Sequence, residues 1–124
     1  MYKNKIVGIL GILAVSLGAF GSHALKSMIP ENSVETFKIG VLYHFIHTIA
    51  IAVTPIDRVD KTNYKKNPIT FFLIGILFFS GSLYLLSCKA IFGNWVAFLG
   101  PVTPIGGVMF IIGWFSWINL KGTK

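Results

Sequence analysis

Four apolar stretches dominate the 124-residue chain: Ile6 to His23, Ile39 to Pro55, Ile69 to Cys88, and Val96 to Leu120 with one interruption. Crossing the hydrocarbon core as a helix takes about 20 mostly apolar residues, so these lengths fit four transmembrane helices and leave little chain for anything else. Charged residues make up 12% of the sequence, where a soluble domain carries roughly 25%. The expected fold is therefore all-α: one integral membrane four-helix bundle over residues 1–124, in a lipid bilayer, with helices at about 6–25, 33–54, 68–88 and 101–120.

The net charge of +7 could suggest nucleic acid in a soluble protein, but the basic residues sit between or beyond the apolar runs. Lys3, Lys5, Arg58, Lys61, Lys65, Lys66, Lys121 and Lys124 fall on the two ends and the middle connection. Lys26, Lys38 and Lys89 fall on the other two connections. That is a topology signal, not a nucleic-acid footprint. By the positive-inside rule both termini and the middle connection face the cytoplasm. A competing expectation for the start is a signal peptide, since Lys3, Lys5, an apolar run and Ser22-His23-Ala24 match that pattern. The run is at the long end for one, and its removal would leave three helices. The single Cys88 excludes an internal disulfide and suits a small buried residue near a helix end.

Small residues recur along the first segment, with Ala14, Gly18 and Ser22 at intervals of four. In lipid such a stripe lets a neighbouring helix approach closely, which predicts a central first helix; Gly106 and Gly113 are expected to do the same on the fourth. The second segment starts after Pro30, with Asn32 as cap and Glu35 completing a capping box. The third has Asn67 as cap and Pro68 at its first position, where a missing N–H costs nothing. In the fourth, LGPVTPIGG predicts a break, because Pro104 removes a donor and disfavours helical geometry at Thr103. Irregular backbone at that depth must be covered by protein or line a cavity. Trp114 and Trp117 fit anchors at the inner interface, Trp95 one at the outer.

The polar residues within these runs carry the functional hint. His44 and His47 stand one turn apart in YHFIHTIA, roughly 17 to 21 Å from the expected helix start and so in the outer half of the bilayer or near its middle. His23 ends the first segment, Ser80 and Tyr84 share one face of the third while Ser82 points away, and Thr103 sits at the break. An intramembrane imidazole is costly, faces the bundle interior and needs a partner. Three readings follow. The histidines bond carbonyls or serines and order the bundle; or His23, His44, His47, Ser80, Tyr84 and Thr103 line one polar pocket in the external half for a small ligand or a shared proton. In the third, His44 and His47 coordinate a metal or haem iron, a ligand-poor site because no carboxylate or second thiolate lies at that depth. No nucleophile with base and orienting acid, phosphate loop or carboxylate pair stands at membrane depth, so enzyme chemistry has little to stand on and no cofactor is specified. The partner class opposed to a ligand is a homo-oligomer or a larger membrane complex.

GAFGSHALK at 18–26, YHFIHTIA at 43–50, FFSGSLYLL at 78–86 and LGPVTPIGG at 99–107, in this order and spacing, resemble the YgdD-type family of small membrane proteins, domain of unknown function 423. Where that family usually has alanine before the first histidine, this chain has Ser22. The resemblance implies a polytopic protein of the bacterial inner membrane and brings no established activity. It places His23, His44 and His47 inside the family's own motif segments.

Overall fold

A computed structural model describes residues 2–122; Lys124, one of the charges used for topology, lies outside them. Among the described residues the chain is helical throughout, without strands, and four stretches are long and apolar enough to cross a membrane: Tyr2–Ser27, Glu31–Val53, Pro68–Ser87 and Asn94–Ile118.

Helix α1 (Tyr2–His23) begins earlier than expected, so that Lys3 becomes part of it. The reason lies at the far end of α2 (Glu31–Val53), where the Lys3 ammonium donates to the carbonyls of Ala52 at 2.9 Å and Thr54 at 3.0 Å. A cation there meets the orphan carbonyls and the negative end of the helix dipole. At its other end α2 starts at Glu31 with Pro30 as the cap residue, and the expected Asn32 capping box does not form. The Pro30 carbonyl accepts from both Ser33 and Val34, so the proline, with φ already near helical values, sets the start in place of the asparagine.

The first helix is not the central one. Helix α1 packs mainly on α2, and α2 in turn packs on the third span, which carries the fourth. Ala14 is buried, Gly18 would bring a Cβ within 3.3 Å of Val41 Cγ1, and Gly21 lies under the Phe37 ring; Ser22 is half-buried. The small residues thus serve one contact with α2, while Ile9, Ile12, Leu13 and Val15 face outward.

The third span starts as sequence chemistry dictates, with Asn67 Oδ1 accepting from Ile69 N at 3.0 Å and Pro68 opening α3 (Pro68–Gly75). It is not one regular helix. A π-helical turn occupies Ile76–Ser80 before α4 (Gly81–Ser87) resumes. Helix α5 (Lys89–Phe92) ends at Gly93, whose φ of 97° no L side chain adopts readily. A 3₁₀ segment, Asn94–Leu99, leads to α6 (Val102–Ile118), capped by Pro101.

The break falls within the Trp95 to Thr103 stretch, which the prolines keep from being one continuous helix, but it ends before Thr103 and Pro104 instead of including them. Thr103 is helical, and Pro104 sits in the first turn of α6, where its missing N–H would have had no intrahelical partner. The irregular backbone is the 3₁₀ stretch before Pro101. Helix α6 meets the third span at the π turn: a Cβ on Gly106 would overlap the backbone of Phe79, and one on Gly113 would lie 2.7 Å from the Phe72 ring. Two apolar clusters result. One holds Leu25, Ile29, Val34, Phe37 and the buried Cys88 near the connection that follows α1; the other holds Ala50, Ile51, Phe72, Ile76 and Phe110 between α2, the third span and α6.

Candidate functional site

His44 and His47 are both 3% exposed, on the side of α2 turned to its neighbours. Their partners separate them. His44 Nδ1 lies 2.8 Å from the Tyr84 hydroxyl of α4. The Tyr84 ring fits there because position 40 is glycine: a Cβ would stand 3.0 Å from Tyr84 Cε1. One turn away, Ser80 Oγ donates to the Gly40 carbonyl at 2.7 Å. Ser80 and Tyr84 thus share one face and fasten it to α2, while Ser82 turns to α6 and pairs with Thr103 Oγ1 at 2.6 Å. His44 Nε2, on a ring that reaches toward the Leu10 backbone of α1, has no hydrogen-bond partner.

His47 belongs to the other seam. Its Nδ1 lies 2.7 Å from the Tyr43 carbonyl, and its Nε2 lies 3.1 Å from Trp114 Nε1 on α6. A carbonyl only accepts and an indole N–H only donates. His47 is therefore the neutral tautomer with its proton on Nδ1, and both nitrogens are occupied. The ring stacks on Phe110 with centroids 3.6 Å apart and planes 10° from parallel. Trp114 spends its N–H on this bond instead of on the membrane interface, which corrects its assignment as an anchor.

His23 joins neither group. It is exposed at the end of α1 and makes none of the side-chain hydrogen bonds found among the described residues. The three imidazoles do not converge into one external pocket. Depth explains part of this. His47 lies six residues, about 9 Å, from the Val53 end of α2. It packs beside Phe72, in the first turns of α3, and Trp114, in the last turns of α6. Those positions belong to the half of the bundle nearest the two chain ends. Among the described residues no group of three or more His, Cys, Asp or Glu side chains could hold a metal ion.

The residues around His47 carry little signal in the sequence. Tyr43, His47, Phe79, Pro104, Gly107, Phe110 and Trp114 border a groove of about 430 Å³ that opens sideways between α2, the third span and α6. Phe79 owes its place to the π turn, which sits where α6 comes closest. Tyr43 stood beside the histidines in the same motif, but an aromatic in an apolar run carries no signal of its own. The proximity of Trp114 to His47, 67 residues apart, follows only from the packing of α6.

Four membrane-spanning helices joined by short connections, with buried histidines held across two helix seams, define a small polytopic membrane protein. The chain belongs to the family described as Protein of unknown function (DUF423), whose model matches residues 17–107. Among its relatives, the UPF0382 membrane protein YwdK of Bacillus subtilis is 39% identical over 89% of this chain and 90% of its own length. The UPF0382 membrane protein of Haemophilus influenzae is 36% identical over 92% and 90%, and the UPF0382 inner membrane protein YgdD of Escherichia coli is 38% identical over 86% and 78%. No solved structure matches the chain.

Proposed function

We propose that this protein is a non-catalytic, single-domain component of the bacterial inner membrane that takes a flat, largely apolar ring compound from the bilayer into the groove beside His47. The groove's walls carry the reading. Tyr43, Phe79 and Trp114 offer aromatic surface around an opening that faces lipid, with the buried Phe110 ring behind it, and Tyr43 brings a hydroxyl that makes no hydrogen bond among the described residues. Ligand sites are mostly apolar with few polar groups. The histidines act here as struts: His47 holds Trp114 at the groove wall, and His44 holds Tyr84 on the opposite seam.

The test uses a naphthoquinone with a short isoprenyl tail, added to protein in vesicles with Trp95 and Trp117 changed to phenylalanine, so that Trp114 alone reports. Quenching is expected to saturate, and Gly107→Phe is expected to abolish saturation, because a Cβ there meets Phe79 only at ordinary contact, 3.7 Å, and the ring would fill the groove. Equal, unsaturable quenching in both proteins would overturn the reading.

An assembly subunit is the second reading, favoured by the outer face of α1, where a Cβ on Gly8 or Gly11 would meet nothing within 4 Å. Small residues left open in lipid suit close approach by another helix. A stable larger species without bound small molecules, on gentle extraction and native mass spectrometry, would favour it.

The proposed orientation puts both chain ends in the cytoplasm, on the eight basic residues of the ends and middle connection against three elsewhere. A cysteine probe at Glu31 should react from outside and one at Asn63 should not; the reverse labelling inverts the orientation.

A further inference from the structure

Two concavities adjoin where α6 ends. One, of about 460 Å³, is bordered by Lys65, Lys66, Ile112, Phe115, Ser116 and Asn119. The other, of about 150 Å³, shares Lys66 and Asn119 and adds Arg58, Asp60 and Lys121. Their chemistry is graded along the helix. Ile112 and Phe115 supply an apolar floor, Ser116 and Asn119 stand a turn further toward the chain ends, and the cations close the top. Four cations face a single carboxylate. Asp60 is already committed to Thr62, taking its hydroxyl at 2.6 Å and its backbone N–H at 2.9 Å, and these bonds hold its carboxyl below the usual range.

None of Arg58, Lys65, Lys66 and Lys121 is in a salt bridge with another described residue. Arg58 Nε is a buried donor without a partner. Asn119 Nδ2 donates to the Phe115 carbonyl at 2.8 Å, while its amide oxygen accepts none of the hydrogen bonds found among the described residues. An ordinary solvated loop accounts for the lysines alone. It does not account for an apolar trough beneath them, continuous with the lipid-facing side of α6.

We propose that this trough is a binding site for one anionic glycerophospholipid, its phosphate held by Lys65 and Lys66 and one acyl chain lying along Phe115 and Ile112. Basic pockets beside transmembrane helices recognise such headgroups, and each lysine at the surface contributes about a fivefold gain in binding. Ser116 Oγ can donate to the phosphate, and the Asn119 amide oxygen can accept from a glycerol headgroup. Arg58 and Lys121 add a second positive centre across Lys66. The site is separate from the groove beside His47 and stands or falls without it.

The experiment reconstitutes the full chain in vesicles of phosphatidylcholine and phosphatidylglycerol, extracts it gently and counts retained phosphatidylglycerol by native mass spectrometry. The parent should keep one molecule. Lys65→Gln with Lys66→Gln should lower retention roughly thirtyfold. Lys5→Gln with Lys61→Gln removes the same charge from exposed positions outside the trough and should leave retention unchanged. Ile112→Asn tests the apolar half and should also reduce retention, whereas excess inorganic phosphate should not displace the lipid. Equal losses in the two double variants would reduce the effect to overall charge and overturn the site. Displacement by inorganic phosphate, or indifference to Ile112→Asn, would do the same by removing the lipid chain from the contact.

Discussion

Gly106→Ala is expected to lower stability by about 3 kcal/mol, the upper end for overpacking, and to leave much of the protein unfolded after extraction. The added methyl would occupy the space of the Phe79 backbone nitrogen and the Phe78 carbonyl carbon. A flexible side chain could swing aside; backbone in a helix cannot, so α6 must move off the third span as a body. Gly107→Ala is the control, since its Cβ would find only the Phe79 ring at 3.7 Å, and its melt should match the parent's within about 0.5 kcal/mol. Similar melts for the two variants would mean that the helices do not meet at the π turn.

His47→Ala should cost about 3 kcal/mol as well, for two reasons that can be separated. Truncation opens a void among Phe72, Phe110 and Trp114, and large-to-small changes in a packed site cost roughly 2 to 5 kcal/mol. It also strands the Trp114 N–H, which adds to that cost. His47→Phe keeps the ring against Phe110 and loses only the polar contacts, so it should cost about 1 kcal/mol, near the range of intramembrane hydrogen bonds. Thermal melting in detergent gives both values. A His47→Ala protein as stable as the parent would show that the ring is not packed where the structure has it.

The four spans were legible because bilayer thickness sets helix length, and length with apolar content is plain in the sequence. The Asn67-Pro68 start was legible for a local reason: cap and first-turn chemistry do not depend on the rest of the fold. Seam assignments on the third span followed from a four-residue period, which placed Ser80 and Tyr84 together and Ser82 apart. The failures were those of tertiary choice. A small-residue stripe on α1 says that some helix comes close, not that α1 lies at the centre. The two prolines of LGPVTPIGG carry the same backbone restrictions whether the helix begins at residue 102 or 105, because a cap position and a first turn both tolerate proline. No pattern in ILFFS distinguishes a π turn from an α-helix, since the two differ only in whether the backbone bonds run i to i+5 or i to i+4, and the helix that packs against this turn lies far along the chain. Convergence of the histidines failed for a related reason. At about 100° per residue, His44 and His47, three residues apart, stand roughly 60° apart around α2, enough for each to find a different adjoining helix.

His47 is a neutral strut between α2 and α6, bonded at both ring nitrogens, and not a member of a three-histidine site. Solid-state NMR of the protein with nitrogen-15 histidine in bilayers tests this directly. The predicted result is an His47 spectrum with the proton on Nδ1, an unprotonated Nε2 close to the Trp114 indole N–H, and no contact with His23. An His47 protonated on Nε2, or one whose signals shift together with those of His23 and His44 as pH changes, would contradict it.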